Sequence, residues 1–473
     1  MSSATPYGDP QAVAALADRV ISAAGKLPRR VTLMEVCGTH THAIAAAGLR
    51  RLLPAKVRLI AGPGCPVCVT PVGYVDRAEA LARRPGTIVT TFGDLLRVPS
   101  SQGSLERVRG EGADVRIVYS PRDALQVARE NPTSTVVFLA VGFETTVPTV
   151  AAALAEAESD GVRNFLILTG HKIMPPPMRA LARDPEVQVD GYLLPGHVSV
   201  ITGSDAFAFV AEEFGMPAVV VGFTPTDVLR GVEALVGCLA AGKPEVINLY
   251  SRVVRPEGNT TAQALVARFF TTSDVVWRGL GTIPGSGLAL RPEFAHRDAA
   301  LVEVEVPDPV EPAGCRCGEV LKGSIDPPEC PLFATACTPT SPVGACMVSS
   351  EGTCAAWYRH ERLATGGARR SVPTRSCSPT GAGGGSPRSW CGTRSSRASR
   401  TRRWRRSPTP RSWRSCRRAA RLSPPTRSSS TRRCFPAATW GTSRCAGRST
   451  TWRWWALARC SSRQGEMSFP EPT

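Results

Sequence analysis

Residues 31–68 read VTLMEVCGTHTHAIAAAGLRRLLPAKVRLIAGPGCPVC. Two apolar runs, Val31 to Val36 and Val57 to Ala61, each break into a small loop that carries cysteine. The first is Cys37-Gly38-Thr39-His40-Thr41-His42 and the second Gly62-Pro63-Gly64-Cys65-Pro66-Val67-Cys68. Between them, Ala43 to Leu53 has the Ala/Leu richness of a helix. Strand, loop, helix, strand, loop is the βαβ order of a parallel sheet, in which the loops after the strands gather at one edge. Three thiols and two imidazoles then share one rim.

The same rhythm continues outward. Residues 10–26 read as a first helix, and Tyr74 to Arg84 and Pro121 to Glu130 as later ones. Apolar runs at Thr87–Phe92, Asp114–Tyr119, Thr135–Val141, Asn164–Thr169, Gly191–Leu194 and Ala218–Val221 read as buried strands. Several end in Gly with His, Glu or Thr, notably Glu144, His171 and His197, which are candidates for the same cleft or for core positions. Helices are expected at Asp227–Ala241 and Gly258–Phe270, a flexible glycine loop at Gly279–Gly287, and an exposed-face strand at Leu301–Val306. The fold class is α/β, with two Rossmann-like parallel-sheet domains at 1–135 and 136–306. A small cysteine-rich domain occupies 307–360, and a tail occupies 361–473. Gly279–Gly287 lacks the lysine and spacing of a phosphate loop, which argues against nucleotide binding there.

The formal charge of +18 is confined to the tail. Residues 1–360 hold 32 Lys+Arg against 36 Asp+Glu, a net of −4, and residues 361–473 hold 25 Arg against 3 Glu, a net of +22. The body therefore gives no electrostatic reason to expect nucleic acid or membrane. No run of 18 apolar residues and no leader-like amino terminus appears, so a cytoplasmic protein is expected. From Ala364 the chain has no Lys, Asp or His and is dominated by Arg, Ser, Pro and Trp, with six of the sixteen cysteines. An Arg-rich RNA-binding tail and a plain disordered extension both compete to explain it. Out-of-frame translation of a GC-rich gene explains the composition better, and Cys377, Cys391, Cys416, Cys434, Cys445 and Cys460 then do no work.

Clustered cysteines in a reducing compartment point to metal or redox chemistry. Cys37, close to a helix amino terminus, is expected to have a lowered pKa and to bind a soft metal or attack an electrophile. His40 and His42 can ligate metal or move protons. Cys65 and Cys68 form a CxxC, which carries two electrons as a dithiol or supplies half of a zinc site completed by the two histidines. Cys315, Cys330, Cys337 and Cys354, separated by 14, 6 and 16 residues, suit a [4Fe–4S] cluster better than zinc knuckles. Cys317 can replace Cys315 in that set, and Cys346 remains a further candidate.

Cys37 to His42, Gly62 to Cys68, Thr91 to Ser100, Gly142 to Thr146, Gly170 to Lys172, Pro195 to Ser199 and Cys346 to Cys354 together resemble the HypD family of hydrogenase maturation factors. The match covers about residues 10–360, and the tail departs from the family pattern. The resemblance implies a scaffold for the Fe(CN)2CO unit of [NiFe] hydrogenase. It implies iron held between Cys37 and the amino-terminal cysteine of a small HypC-type chaperone, with cyanide delivered by a HypE-type partner. It further implies Cys65 and Cys68 as redox thiols near the metal, and a cluster that feeds them electrons. The competing class is a stand-alone iron–sulfur thiol-disulfide oxidoreductase in which Cys37 is incidental.

Overall fold

The computed structural model describes residues 9–362. The tail readings lie outside them. Nine strands form two parallel sheets. They are β1 (Val31–Glu35), β2 (Val57–Ala61), β3 (Thr87–Thr91), β4 (Val115–Ile117), β5 (Thr135–Gly142), β6 (Phe165–His171), β7 (Gly191–Pro195), β8 (Ala218–Val221) and β9 (Val246–Asn248). The first sheet has the order β2-β1-β7-β8-β9 and the second β4-β3-β5-β6. The helices Pro10–Gly25 (α1), Gly38–Ala46 (α2) and Val72–Arg83 (α3) and others cover their faces.

Pairing interleaves the chain. Leu33 of β1 lies opposite Gly191 of β7, and Thr87 of β3 opposite Thr135 of β5. One sheet is therefore built from 31–61 and 191–248 and the other from 87–171, not from two consecutive segments meeting near residue 135. Each sheet buries both faces, as parallel sheets do. In the first, Leu33, Leu59, Leu193 and Val219 pack against α1 and the helix Pro225–Ala241, while Met34, Ile60, Tyr192 and Val220 face the opposite way. That second face also meets Phe143, Trp277, Leu321 and the cysteines Cys65, Cys68, Cys317 and Cys346. The apolar seam thus joins the two cysteine-bearing regions.

Three local expectations change. The glycine stretch expected to be a flexible loop is the strand β11 (Gly281–Leu290), paired antiparallel with β10 (Phe270–Trp277). Trp277 Nε1 donates to Ser286 Oγ at 2.8 Å, and a Cβ at Gly287 would come within 2.3 Å of Val275, so glycine here permits close pairing. Leu301–Val306 alternates as a strand does but joins no sheet. Val302 and Val304 pack on the α3 side of the second sheet, and the Arg77 guanidinium binds the carbonyls of Ala300 and Val302. The cysteine-rich region extends past residue 360, because Glu361 forms a 2.5 Å ion pair with Arg50 in which both side chains are largely buried.

His171, the last residue of β6, is 1% exposed, and neither ring nitrogen has a hydrogen-bond partner. Burial pushes its pKa down to about 3. Between pH 6.5 and 3 the unfolded chain takes up a proton that the folded chain refuses, so this group removes stability as pH falls. His171→Leu is expected to shrink the stability difference between pH 7 and pH 5 by roughly 2 kcal/mol, measured by urea unfolding at the two pH values.

Candidate functional site

In the first sheet the chain leaves β1 toward β2 on one side, whereas β7, β8 and β9 run outward on the other. The carboxyl ends of β1 and β7 therefore flank a topological switch point, the usual crevice for a site in such sheets. Cys37 follows β1 there, and Pro195-Gly196-His197 follow β7. Gly222-Phe223 follow β8, next in order.

Cys37 is the N-cap of α2, with extended backbone (φ −147°, ψ 120°). The expected helix thus begins earlier, at Gly38, and the CGTHTH motif forms its first turns. Helix amides leave their N–H groups unpaired in the first turn, and those of Thr39 and His40 turn toward the Cys37 sulfur. The expected acidification is nevertheless reversed: burial, then the Glu351 carboxylate and more weakly Glu35, push the Cys37 thiol up to about 12. The thiol is therefore protonated near pH 7.

Two carboxylates shape this corner. Glu35, fully buried, accepts from the Cys37 amide at 3.0 Å and from Thr41 Oγ1 at 2.5 Å. Burial raises its pKa to about 7. Glu351, from the cysteine-rich segment, accepts from Thr39 Oγ1 at 2.9 Å, and burial raises its pKa too. Neither was singled out from sequence. A lone acid in the apolar run of β1 was a usable signal for Glu35, whereas Glu351 meets α2 only through a contact spanning 312 residues.

The second cysteine loop docks on the first. The Gly38 amide donates to Gly64 O at 2.8 Å, and a Cβ on Gly64 would lie 2.2 Å from the Cys37 nitrogen. Gly64→Ala is expected to cost about 1–3 kcal/mol through overpacking and to increase the alkylation rate of Cys37, read by thermal unfolding and thiol labelling. Cys65 and Cys68 are joined by a disulfide with 5.3 Å between their Cα atoms, and their exposures are 3% and 0%.

The histidines of the motif diverge. His40 Nε2 lies 2.9 Å from Gly222 O, which makes that nitrogen the donor, and its ring packs on Phe223, which stacks on His197. Burial pushes His40 and His197 down to about 4, so both are neutral near pH 7. His42 instead turns its ring to His360. A zinc site made by both histidines with Cys65 and Cys68 does not match this arrangement.

Of the other strand-end residues, Glu144 is buried and accepts from the Met174 amide at 2.7 Å. Together with His171 it belongs to the second sheet, not to the Cys37 corner.

Cys315, Cys317, Cys330, Cys337, Cys346 and Cys354 all line one pocket, together with mostly apolar neighbours. The Cys317 and Cys346 sulfurs lie 2.7 Å apart, and Cys317 also meets the Cys315 thiol and Cys346 the Cys354 thiol. A donor set of thiols alone, without carboxylate or imidazole, fits a thiophilic metal or an iron–sulfur group.

A buried cysteine at a switch point, a buried disulfide loop packed on it and a pocket lined by six further cysteines make a cysteine-rich site suited to soft-metal or redox chemistry. The family model described as "Hydrogenase formation hypA family", HypD, matches residues 11–361. Hydrogenase maturation factor HypD of Escherichia coli is 48% identical over 336 residues, covering 71% of this chain and 90% of that protein. HypD of Cupriavidus necator is 44% identical over 363 residues, covering 74% and 95%. A putative hydrogenase expression/formation protein of Methanocaldococcus jannaschii is 41% identical over 354 residues, covering 74% and 98%. The chain belongs to the HypD family of hydrogenase maturation factors.

Proposed function

We propose that this chain is a redox-active scaffold that holds iron while the Fe(CN)2CO unit of [NiFe] hydrogenase is assembled. The observation that carries the reading is Cys37, a buried thiol at the switch point with the carboxylates of Glu35 and Glu351 beside it. Iron is the cargo, bound by Cys37 as thiolate together with the amino-terminal cysteine of a HypC-type chaperone. A HypE-type partner brings cyanide. No helix among the described residues is long and apolar enough to cross a membrane, and working thiols need a reducing compartment, so the reading places the chain in the cytoplasm.

As a dithiol, Cys65 and Cys68 yield two electrons and two protons when they close to the disulfide. The sequence spacing favours Cys315, Cys330, Cys337 and Cys354 as the holders of a [4Fe–4S] cluster, with Cys317 and Cys346 lining the same pocket. Such a cluster supplies single electrons when bound. Cys317 and Cys346 share the apolar seam with Cys65 and Cys68, and Cys315 and Cys354 pack against the same seam. Stand-alone reduction of a substrate disulfide is disfavoured because Cys65 and Cys68 are closed to a protein substrate.

The ligand set has a direct test in the iron and labile sulfide of anaerobically purified variants. Cys315→Ala, Cys330→Ala, Cys337→Ala and Cys354→Ala are each expected to lose most of the sulfide, and Cys317→Ala and Cys346→Ala to keep it. Loss in the second group with retention in the first contradicts the assignment.

A further inference from the structure

His42 leaves α2 on a different side from His40 and meets His360, which comes from the last turn of the described chain, Trp357–Glu361. The two rings stand nearly perpendicular, at 83°, with centroids 5.2 Å apart. His42 Nδ1 and His360 Nε2 are both buried atoms with no hydrogen-bond partner. Buried polar atoms without partners are costly and call for an explanation. Burial, the neighbouring His42 and Arg359 lower the pKa of His360, with Glu361 opposing.

Two imidazoles that share one tetrahedral ion at metal–nitrogen distances of about 2.0–2.1 Å have ring centres roughly 5 Å apart. The observed spacing matches that arrangement. The segment is also fixed in place: Arg50 pairs with Glu361, the Arg51 guanidinium donates to His360 O at 3.3 Å, and Arg50 lies over the Trp357 ring at 5.6 Å. These contacts fix the backbone that carries His360.

We propose that His42 and His360 form a binding site for a divalent first-row transition ion, held through His42 Nδ1 and His360 Nε2 with water in the remaining positions. Among the described residues no group of three or more His, Cys, Asp or Glu is placed to hold an ion, so the proposed site has two protein ligands, fewer than a closed structural zinc site. It is separate from Cys37, which lies at the start of the same helix. Its existence does not depend on the scaffold reading; a role as a way station for iron does.

The test uses the full chain, anaerobic and with its thiols reduced, titrated with Zn2+ while the ring Cε1–H resonances of its six histidines are followed by NMR. Two resonances, assigned with His42→Asn and His360→Asn, are expected to move together with a common midpoint, and either substitution is expected to abolish the response of the other ring. His360→Phe keeps an aromatic ring in the contact but deletes the nitrogens; it is expected to retain the wild-type melting temperature and to lose the Zn2+ response at His42. A response by one ring alone, by neither, or by His42 in the His360→Phe variant overturns the site. Because the readout is local to these rings, it is independent of whether Cys37 carries iron.

Discussion

Cys37→Ala is expected to reduce [NiFe] hydrogenase maturation to background when it replaces the wild-type chain in cells. The loss should exceed the 10–100-fold typical of removing an outer-sphere partner of a metal, since the sulfur itself is the proposed ligand. The fold should survive. Cys37 contributes its backbone to the α2 cap and to the Glu35 hydrogen bond, and alanine keeps both. Cys37→Ser is expected to fail equally, because a hydroxyl is a hard, weakly acidic donor that does not replace thiolate on low-spin iron. Glu35 and Glu351 sharpen this expectation. Burial first, then Glu351 and more weakly Glu35, keeps the empty thiol protonated, so iron binding displaces a proton and should release one per site, measurable in weakly buffered solution.

The second large effect is expected at the dithiol. Cys65→Ser and Cys68→Ser should each abolish maturation while leaving the sulfide content and the complex with the small partner intact. Serine preserves the size of a buried side chain and the loop geometry set by Gly64, but removes the two-electron couple. In a reductive titration of the oxidised chain, each variant is expected to consume two electrons fewer than the wild type. Equal electron uptake with maturation still lost would assign these cysteines a structural role instead.

Much of this was legible in the sequence. The strands at Val57–Ala61 and Ala218–Val221 and the helix Pro121–Glu130 match the structure residue for residue, because a buried apolar run bounded by turn residues, and a Ser-Pro helix start, are local signals. Sheet order was not legible. The pairing of β1 with β7 spans more than 150 residues, and nothing within either strand specifies its neighbour. Local alternation also misled at Leu301–Val306, where one face is packed but the backbone has no ladder, and glycine richness misled at Gly281–Leu290, where small residues serve close pairing. The cysteines were legible as a set. The environment that fixes their chemistry was not, since it comes from distant contacts such as Thr39 with Glu351 and Arg50 with Glu361.

In the proposed scaffold, Cys37 anchors iron bearing cyanide and carbon monoxide. The most direct test of that role is infrared spectroscopy of the chain co-expressed with the HypC-type partner and purified without oxygen. Cyanide and carbon monoxide stretching bands are expected in the wild-type complex and are expected to vanish in Cys37→Ala, with the cluster sulfide unchanged. Bands that persist in Cys37→Ala, or a stable wild-type complex that never shows them, would contradict it.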